Sequence, residues 1–191
     1  MTAPDYFDGR LFTALRAFVA AERDAVFCGC TFKECNFQGA DLASFSFEDC
    51  VFADCNLSLI QVAGTAFKGV KFERCKMEGI NFFDCCRTVL SMHFLQCDLR
   101  CASFAGLPLK RTDFTDCSVR EAVFSKADLS GSSFTRCDLA RAVFQQTNLE
   151  KTDFTTAYNF VFDPESNRMR KARFSVYGLP GLLEKYGLEI E

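Results

Sequence analysis

The stretch from Arg111 to Phe154, written in fives, reads RTDFT DCSVR EAVFS KADLS GSSFT RCDLA RAVFQ QTNLE KTDF. Every fifth residue from Phe114 onward is large and apolar: Phe114, Val119, Phe124, Leu129, Phe134, Leu139, Phe144, Leu149 and Phe154. Two places before each stands a small residue, as at Thr112, Cys117, Ala122, Ala127, Ser132 and Cys137. A period of five matches neither the 3.6 of a helix nor the 2 of a strand. The chain is therefore a tandem repeat, and the repeat has to be read before any element is assigned.

The units ADLSG, CDLAR, ADLAS and TNLEK resemble the A(D/N)LXX consensus of the pentapeptide-repeat family, and the pattern runs from Phe27 to Phe154. The resemblance implies an all-β fold, a right-handed quadrilateral β-helix in which four units make one square coil. The centre residue and the residue two before it then point inward.

The sequence contains a check on the four-sided coil. Centres run in phase from Phe27 through Phe32, Phe37, Leu42, Phe47, Phe52, Leu57, Val62, Phe67, Phe72 and Met77 to Phe82, and then the phase slips by two. A two-residue insertion within 83–88 (FDCCRT), with Val89 as the next centre, restores it. With that insertion Phe32, Phe52, Phe72, Phe94, Phe114, Phe134 and Phe154 fall in one column, and Cys35, Cys55, Cys75, Cys97, Cys117 and Cys137 in another. Coils spaced at about 4.8 Å let such rings pack in offset fashion. The same spacing exceeds the roughly 3.8 Å between Cβ atoms that a disulfide needs, so these thiols are expected to stay reduced.

The 191 residues suit one domain. Its parts are expected to be a cap over 1–26, the solenoid over 27–154, and a second cap with a short helix over 155–191. In the first cap Leu11, Leu15, Phe18 and Val19 are spaced as one face of a helix. In the last segment Asp163 and Pro164 mark a turn, and Gly178 to Gly181 lead into Leu182–Tyr186, closed by Gly187. Leu179, Leu182, Leu183 and Tyr186 give that helix an apolar face, which serves either as a cap or as a homodimer contact through a self-complementary end.

Composition argues against most chemistry. There is one histidine, His93, and it precedes the centre Phe94, so it points outward. No GxGxxG or phosphate loop occurs, and a packed prism offers no cleft, so the chain is expected not to be an enzyme and to need no cofactor. Eight of the twelve cysteines sit on the small inward position, where a thiol acts as a small hydrophobe. No CxxC occurs and no histidine accompanies a cysteine pair, which leaves no expected metal site. Cys28 and Cys101 face outward, while Cys85 and Cys86 lie in the insertion beside Arg87 and are the candidates for a redox role. No apolar run is long enough to span a membrane, and Asp5 and Asp8 stand where an export signal carries basic residues, so the protein is expected in the cytoplasm.

What remains is the exterior. The net charge of −3 shows no basic footprint for direct nucleic-acid binding. Between Glu22 and Asp54, seven acids (Glu22, Asp24, Glu34, Asp41, Glu48, Asp49, Asp54) face two bases, Arg23 and Lys33. Length, the slip near 83–88, the CDLR unit at 97–100 and the DPE at 163–165 before a leucine-rich helix make the chain similar to the Qnr and McbG type of topoisomerase-protection proteins. That resemblance implies a partner, DNA gyrase or topoisomerase IV, engaged by mimicry of DNA and protected from quinolones or a toxin. Glu34, Glu48, Asp49 and Asp54 are the expected contacts. A rod of roughly 30 Å would need on the order of 18 negative charges to match B-DNA. Total charge therefore excludes mimicry by charge alone and leaves shape with one acidic face. The alternative is a structural or adaptor module whose flat faces bind another protein.

Overall fold

The structure, a computed structural model, describes residues 5–16 and 24–189. The chain winds as a four-sided parallel β-solenoid. We number the walls in chain order, so that Phe27 centres the first wall, Phe32 the second, Phe37 the third and Leu42 the fourth. First-wall strands at Tyr6–Asp8, Val26–Cys28, Ser46–Glu48 and Ala66–Lys68 form one parallel sheet. Second-wall strands run from Leu11–Thr13 to Arg173–Phe174 in a sheet of nine. Pairing joins residues twenty apart, as in Phe27↔Phe47 and Phe32↔Phe52. Across the insertion the interval becomes twenty-two, as in Phe72↔Phe94. The third and fourth walls pair through single bridges at the same interval, such as Asn36↔Asn56 and Asp41↔Gln61.

Corners explain the period of five. The second residue after a centre is left-handed, with φ of 55° at Glu34, 57° at Asp54 and 52° at Arg74. Its N–H then donates to a carbonyl of the next coil: Glu34 to Ala53 at 2.9 Å and Asp54 to Glu73 at 2.9 Å. Each non-glycine residue in that conformation costs roughly 1–2 kcal/mol. The coil-to-coil bond offsets this, and the side chain is thrown outward at the corner.

Two ring systems fill the core. The expected second-wall column is present and longer than expected: Phe12, Phe32, Phe52, Phe72, Phe94, Phe114, Phe134, Phe154 and Phe174 stack at 4.6–5.3 Å with planes within 17°. A second column meets it edge-on and changes wall at the insertion. Phe27, Phe47 and Phe67 stack on the first wall, and Phe82, Phe104, Phe124 and Phe144 stack on the fourth. Phe67 hands over to Phe82 at 5.9 Å and 73°. Core volume is thereby held roughly constant: the fourth wall carries Leu42 and Val62 where the first carries Phe, and the first carries Leu109, Leu129 and Leu149 where the fourth carries Phe.

The small inward residues do more than fill space. Cys50 donates to the Phe27 carbonyl at 3.3 Å, Cys55 to Phe32 at 3.4 Å, Cys75 to Phe52 at 3.3 Å and Cys137 to Phe114 at 3.3 Å. Thr65, Ser132, Thr147 and Thr152 do the same to centres one coil earlier at 2.7–2.9 Å. Cysteine, serine and threonine thus share a task that alanine cannot perform. All twelve thiols are free.

The coils reach beyond 27–154 at both ends. Phe7 and Phe12 hold the inward phase, and their strands pair with Val26–Cys28 and Thr31–Lys33. Leu11 therefore lies exposed on a strand instead of on a helical face, while Phe18 and Val19 fall outside the described residues. At the other end Arg173–Phe174 pairs with Asp153–Phe154. The insertion also differs from expectation. Cys85 takes the buried inward place, so the extra residues fall after it, Val89 is exposed at 44%, and Leu90 packs on the core in its stead.

Candidate functional site

The inward positions are packed with side chains, so whatever the chain recognises meets its walls and corners. The four acids expected as contacts bracket the second wall. Glu48 ends the strand Ser46–Glu48 and Asp49 is the corner beside it, with φ of 50°. Glu34 and Asp54 are successive corners on the opposite edge. The structure brings them to one side of the first coils, but two of them are neutralised. Lys68 bonds Glu48 from one coil on. Arg74 grips Asp54 with Nε to Oδ1 at 2.7 Å and Nη2 to Oδ2 at 2.9 Å. These hydrogen bonds hold the Asp54 carboxyl below its ordinary value and raise the Lys68 and Arg74 groups. Glu34 has Lys33 at 3.4 Å, and Asp49 carries no ion pair among the described residues.

This compensation is general. Arg136 holds Asp116 with two bonds of 2.6 and 2.7 Å on the same edge, Arg141 faces Glu121, and Arg173 faces Asp153, each pair twenty residues apart. Two of the early acids, Glu48 and Asp54, are thus stacked against bases one coil on, Lys68 and Arg74. The same twenty-residue interval that aligns the Phe column aligns Glu48 with Lys68 and Asp54 with Arg74, so the pairing was readable from the sequence.

The last coil ends in a tied-down helix. Pro180–Leu183 is α-helical, Glu184–Tyr186 continues as a tighter turn, and Gly187 closes it with φ of 59°. Lys185 reaches Asp163 at 2.6 Å and Glu165 at 2.7 Å, while the Tyr186 hydroxyl donates to Glu165 at 3.1 Å. Leu182 is buried on the core, Leu183 is half-buried, and Leu179 and Tyr186 face outward. Of the expected apolar face, Leu182 acts as a cap and the others line or rim the outside. Tyr177, Val176 and Leu188 join them, and a groove of about 860 Å³ runs between Tyr158, Phe160, Tyr177, Leu183 and Leu188. The sequence reading left out Tyr177 and Val176, because neither lies on the helix.

The remaining candidates are dispersed. His93 is on the second wall with Nδ1 at 3.6 Å from Asp113. Cys85, one of the two redox candidates at the insertion, is buried and its thiol is pushed up to about 11 by burial, which argues against that role for it. Cys86 stays half-exposed, its thiol held below the ordinary value by the Thr88 hydroxyl at 3.2 Å. Among the described residues no group of His, Cys, Asp or Glu stands close enough to hold a metal, and no helix is long and apolar enough to cross a membrane.

A family model described as pentapeptide repeat region matches residues 25–90 and 83–154. No curated protein sequence matches the chain. Among solved structures, a trypsin-treated form of QnrB1, a plasmid-mediated fluoroquinolone resistance protein, aligns over 98% of this chain and 92% of its own at a TM-score of 0.65 and 20% identity. HetL, a pentapeptide repeat protein involved in heterocyst differentiation regulation from the cyanobacterium Nostoc sp. strain PCC 7120, aligns over 90% of this chain and 87% of its own at 0.52 and 11% identity. At these identities the likeness is one of fold.

Proposed function

The chain belongs to the pentapeptide-repeat family, and on that premise we propose that it is a cytoplasmic, non-enzymatic rod that binds a protein through its exterior, the partner being DNA gyrase or topoisomerase IV. The observation that carries the binding role is the filled interior: the stacked rings and hydrogen-bonded inward thiols leave only the walls and corners to recognise anything. The fold likeness to a fluoroquinolone resistance protein over nearly the whole chain supports the choice of partner. Of the four acids, Asp49 has no ion pair among the described residues and Glu34 meets only its chain neighbour Lys33, at 3.4 Å, so these two are the more available to a partner cation, whereas Lys68 and Arg74 occupy Glu48 and Asp54 from the next coil. Leu179, Leu183 and Tyr186, with Tyr177, form the end through which two copies join, and Leu182 caps the core beneath it.

The test is gyrase supercoiling under quinolone inhibition, with the purified chain added. Relief that disappears in the variant Glu34→Lys, Asp49→Lys supports the reading; no relief with either gyrase or topoisomerase IV at micromolar dose sinks it. Light scattering tests the pairing separately: Leu183→Asp is expected to halve the mass, and a wild-type monomer ends the dimer proposal.

The charge pairing favours a second reading. With its acids largely offset by bases from the next coil, the exterior also suits an adaptor that docks a protein without imitating DNA. Retention of a protein partner by the Glu34→Lys, Asp49→Lys variant, together with no effect on topoisomerases, would select it.

A further inference from the structure

Three like-charged residue pairs lie one coil apart at corresponding places: Glu34 with Asp54, Arg100 with Arg120, and Lys151 with Lys171. Like charges placed directly opposite across neighbouring strands are destabilising. In the first two pairs each member has a partner of opposite sign. Lys33 lies by Glu34 and Arg74 holds Asp54; Asp98 holds Arg100 and Asp138 lies by Arg120. Lys151 and Lys171 have no such partner among the described residues.

Their surroundings add charge of the same sign. Both are left-handed corners, φ 60° and 61°, on the edge between the first and second walls, so both side chains project from the rod. Arg170 precedes Lys171 and is likewise without an ion pair among the described residues. From Ser166 to Leu183 the sequence holds Arg168, Arg170, Lys171 and Arg173 and no acid. Lys151, Arg170, Lys171 and Glu150 line an open cleft of about 220 Å³. The one carboxylate lining it, Glu150, is paired with Arg168 at 3.0 Å. Farther up the edge, two coils before Lys151, is Arg111, also without an ion pair among the described residues. Gly131 occupies the corner between them, and a Cβ there would stand 3.5 Å from Arg111 Cγ, so the arginine stem lies along the edge toward the cleft.

We propose that this edge is a binding site for a phosphate-bearing anion, seated between Lys151, Arg170 and Lys171 and extending toward Arg111, so that a linear oligophosphate is held better than a single phosphate. The guanidinium of Arg170 supplies a planar fork for phosphate oxygens, and the two ammonium groups supply point charges. An anion in the cleft removes the repulsion between Lys151 and Lys171. A second linked phosphate reaching Arg111 binds with the advantage of an effectively intramolecular contact. The site lies at the opposite end of the rod from Glu34 and Asp49 and stands whether or not a topoisomerase is the partner.

Calorimetric titration of the full chain with inorganic tripolyphosphate and with orthophosphate tests this. Expected is saturable binding with one tripolyphosphate per chain, roughly tenfold or more tighter than orthophosphate and weakening as salt rises. Lys151→Gln with Lys171→Gln should abolish it without lowering the thermal transition, since it also removes the like-charge repulsion. Lys71→Gln with Lys126→Gln, which removes the same charge from unpaired cations elsewhere, should leave it within about twofold. Absence of saturable binding, equal loss in both variants, or no preference for the longer anion overturns the assignment. A single-stranded oligonucleotide that displaces tripolyphosphate and binds more than tenfold tighter would overturn it in favour of a nucleic-acid backbone.

Discussion

Arg74 and Asp54 stand one coil apart on the same edge and meet through two parallel hydrogen bonds, at 2.7 and 2.9 Å. The pair takes a negative charge out of the face expected to present it, and it does so by the same twenty-residue register that stacks the core. The hydrogen bonds from Arg74 hold the Asp54 carboxyl below its ordinary value. A depressed carboxyl contributes stability above its unfolded pKa, about 3.9 for aspartate, and loses it as pH falls through the lower folded value. Titration followed by NMR should place the Asp54 midpoint below about 3.9, and Arg74→Ala should move it upward. An unmoved midpoint would mean that the pair does not persist in solution. Because both groups are exposed, the shift should shrink in about 1 M salt, where screening acts within about 3 Å.

Phe134 has a parallel ring on each side, Phe114 at 4.7 Å and Phe154 at 5.2 Å, and edge-on neighbours Phe124 and Phe144. Truncation at the middle of such a column leaves a cavity whose walls are held by strands on both sides. Phe134→Ala should therefore cost about 3–5 kcal/mol in urea unfolding. Phe83 is 48% exposed and touches Arg87 through its face at 4.7 Å, so Phe83→Ala should change stability by no more than about 0.5 kcal/mol. Equal effects at the two sites would contradict the packing described here.

Thiol accessibility separates the two cysteine populations. Nine cysteines are buried, and Cys28, Cys86 and Cys101 are not. Burial pushes the Cys50 thiol up to about 12 and Cys85 to about 11, so neither ionises near neutrality. A thiol reagent should modify three residues in the folded chain and the rest only after unfolding. Cys86, with Thr88 stabilising its thiolate, should react at lower pH than a free thiol of pKa about 8.5. Fast modification of Cys85 would show that the corner opens.

Much of this fold is legible in the sequence. The Phe32–Phe154 column follows from one register applied to one residue type, because an inward position tolerates few side chains and so repeats them. Charge pairing follows from the same register applied to Glu48 and Lys68, yet outward positions accept many residues and give no periodic signal. The ends were harder for a different reason. Phe7 and Phe12 keep the phase, but Leu11 and Leu15 also satisfy a helical spacing, and over so few residues the two periods cannot be told apart. Beyond Phe154 the sequence period is interrupted, with Asn159 in the place of a centre, although the column itself continues unbroken to Phe174. The wall change of the second ring column depends on volume complementarity across the core, which no single column reveals. Tyr177 and Val176 belong to the exposed end only because the chain turns there, a fact of the cap and not of the repeat.

Gly181 fixes that cap. A Cβ at this position would lie 1.9 Å from the carbonyl oxygen of Phe160, a backbone atom that cannot swing away. The same contact brings the Gly181 carbonyl to the Phe162 N–H at 3.2 Å, which ties the helix to the last coil. Gly181→Ala should therefore displace Pro180–Leu183, break the bond to Phe162 and uncover Leu182, while the coils before Phe154 remain folded. Hydrogen exchange should report lost protection at Phe162 and Leu182 and unchanged protection at Phe114 and Phe134. Gly187→Ala is the companion variant: nothing lies near its Cβ, and its φ of 59° makes the cost one of backbone strain alone, roughly 1 kcal/mol. If the two variants unfold the cap equally, the close approach to Phe160 is not what seats the helix; if light scattering finds the wild type dimeric and Gly181→Ala alone monomeric, the seated helix is part of the proposed contact between copies.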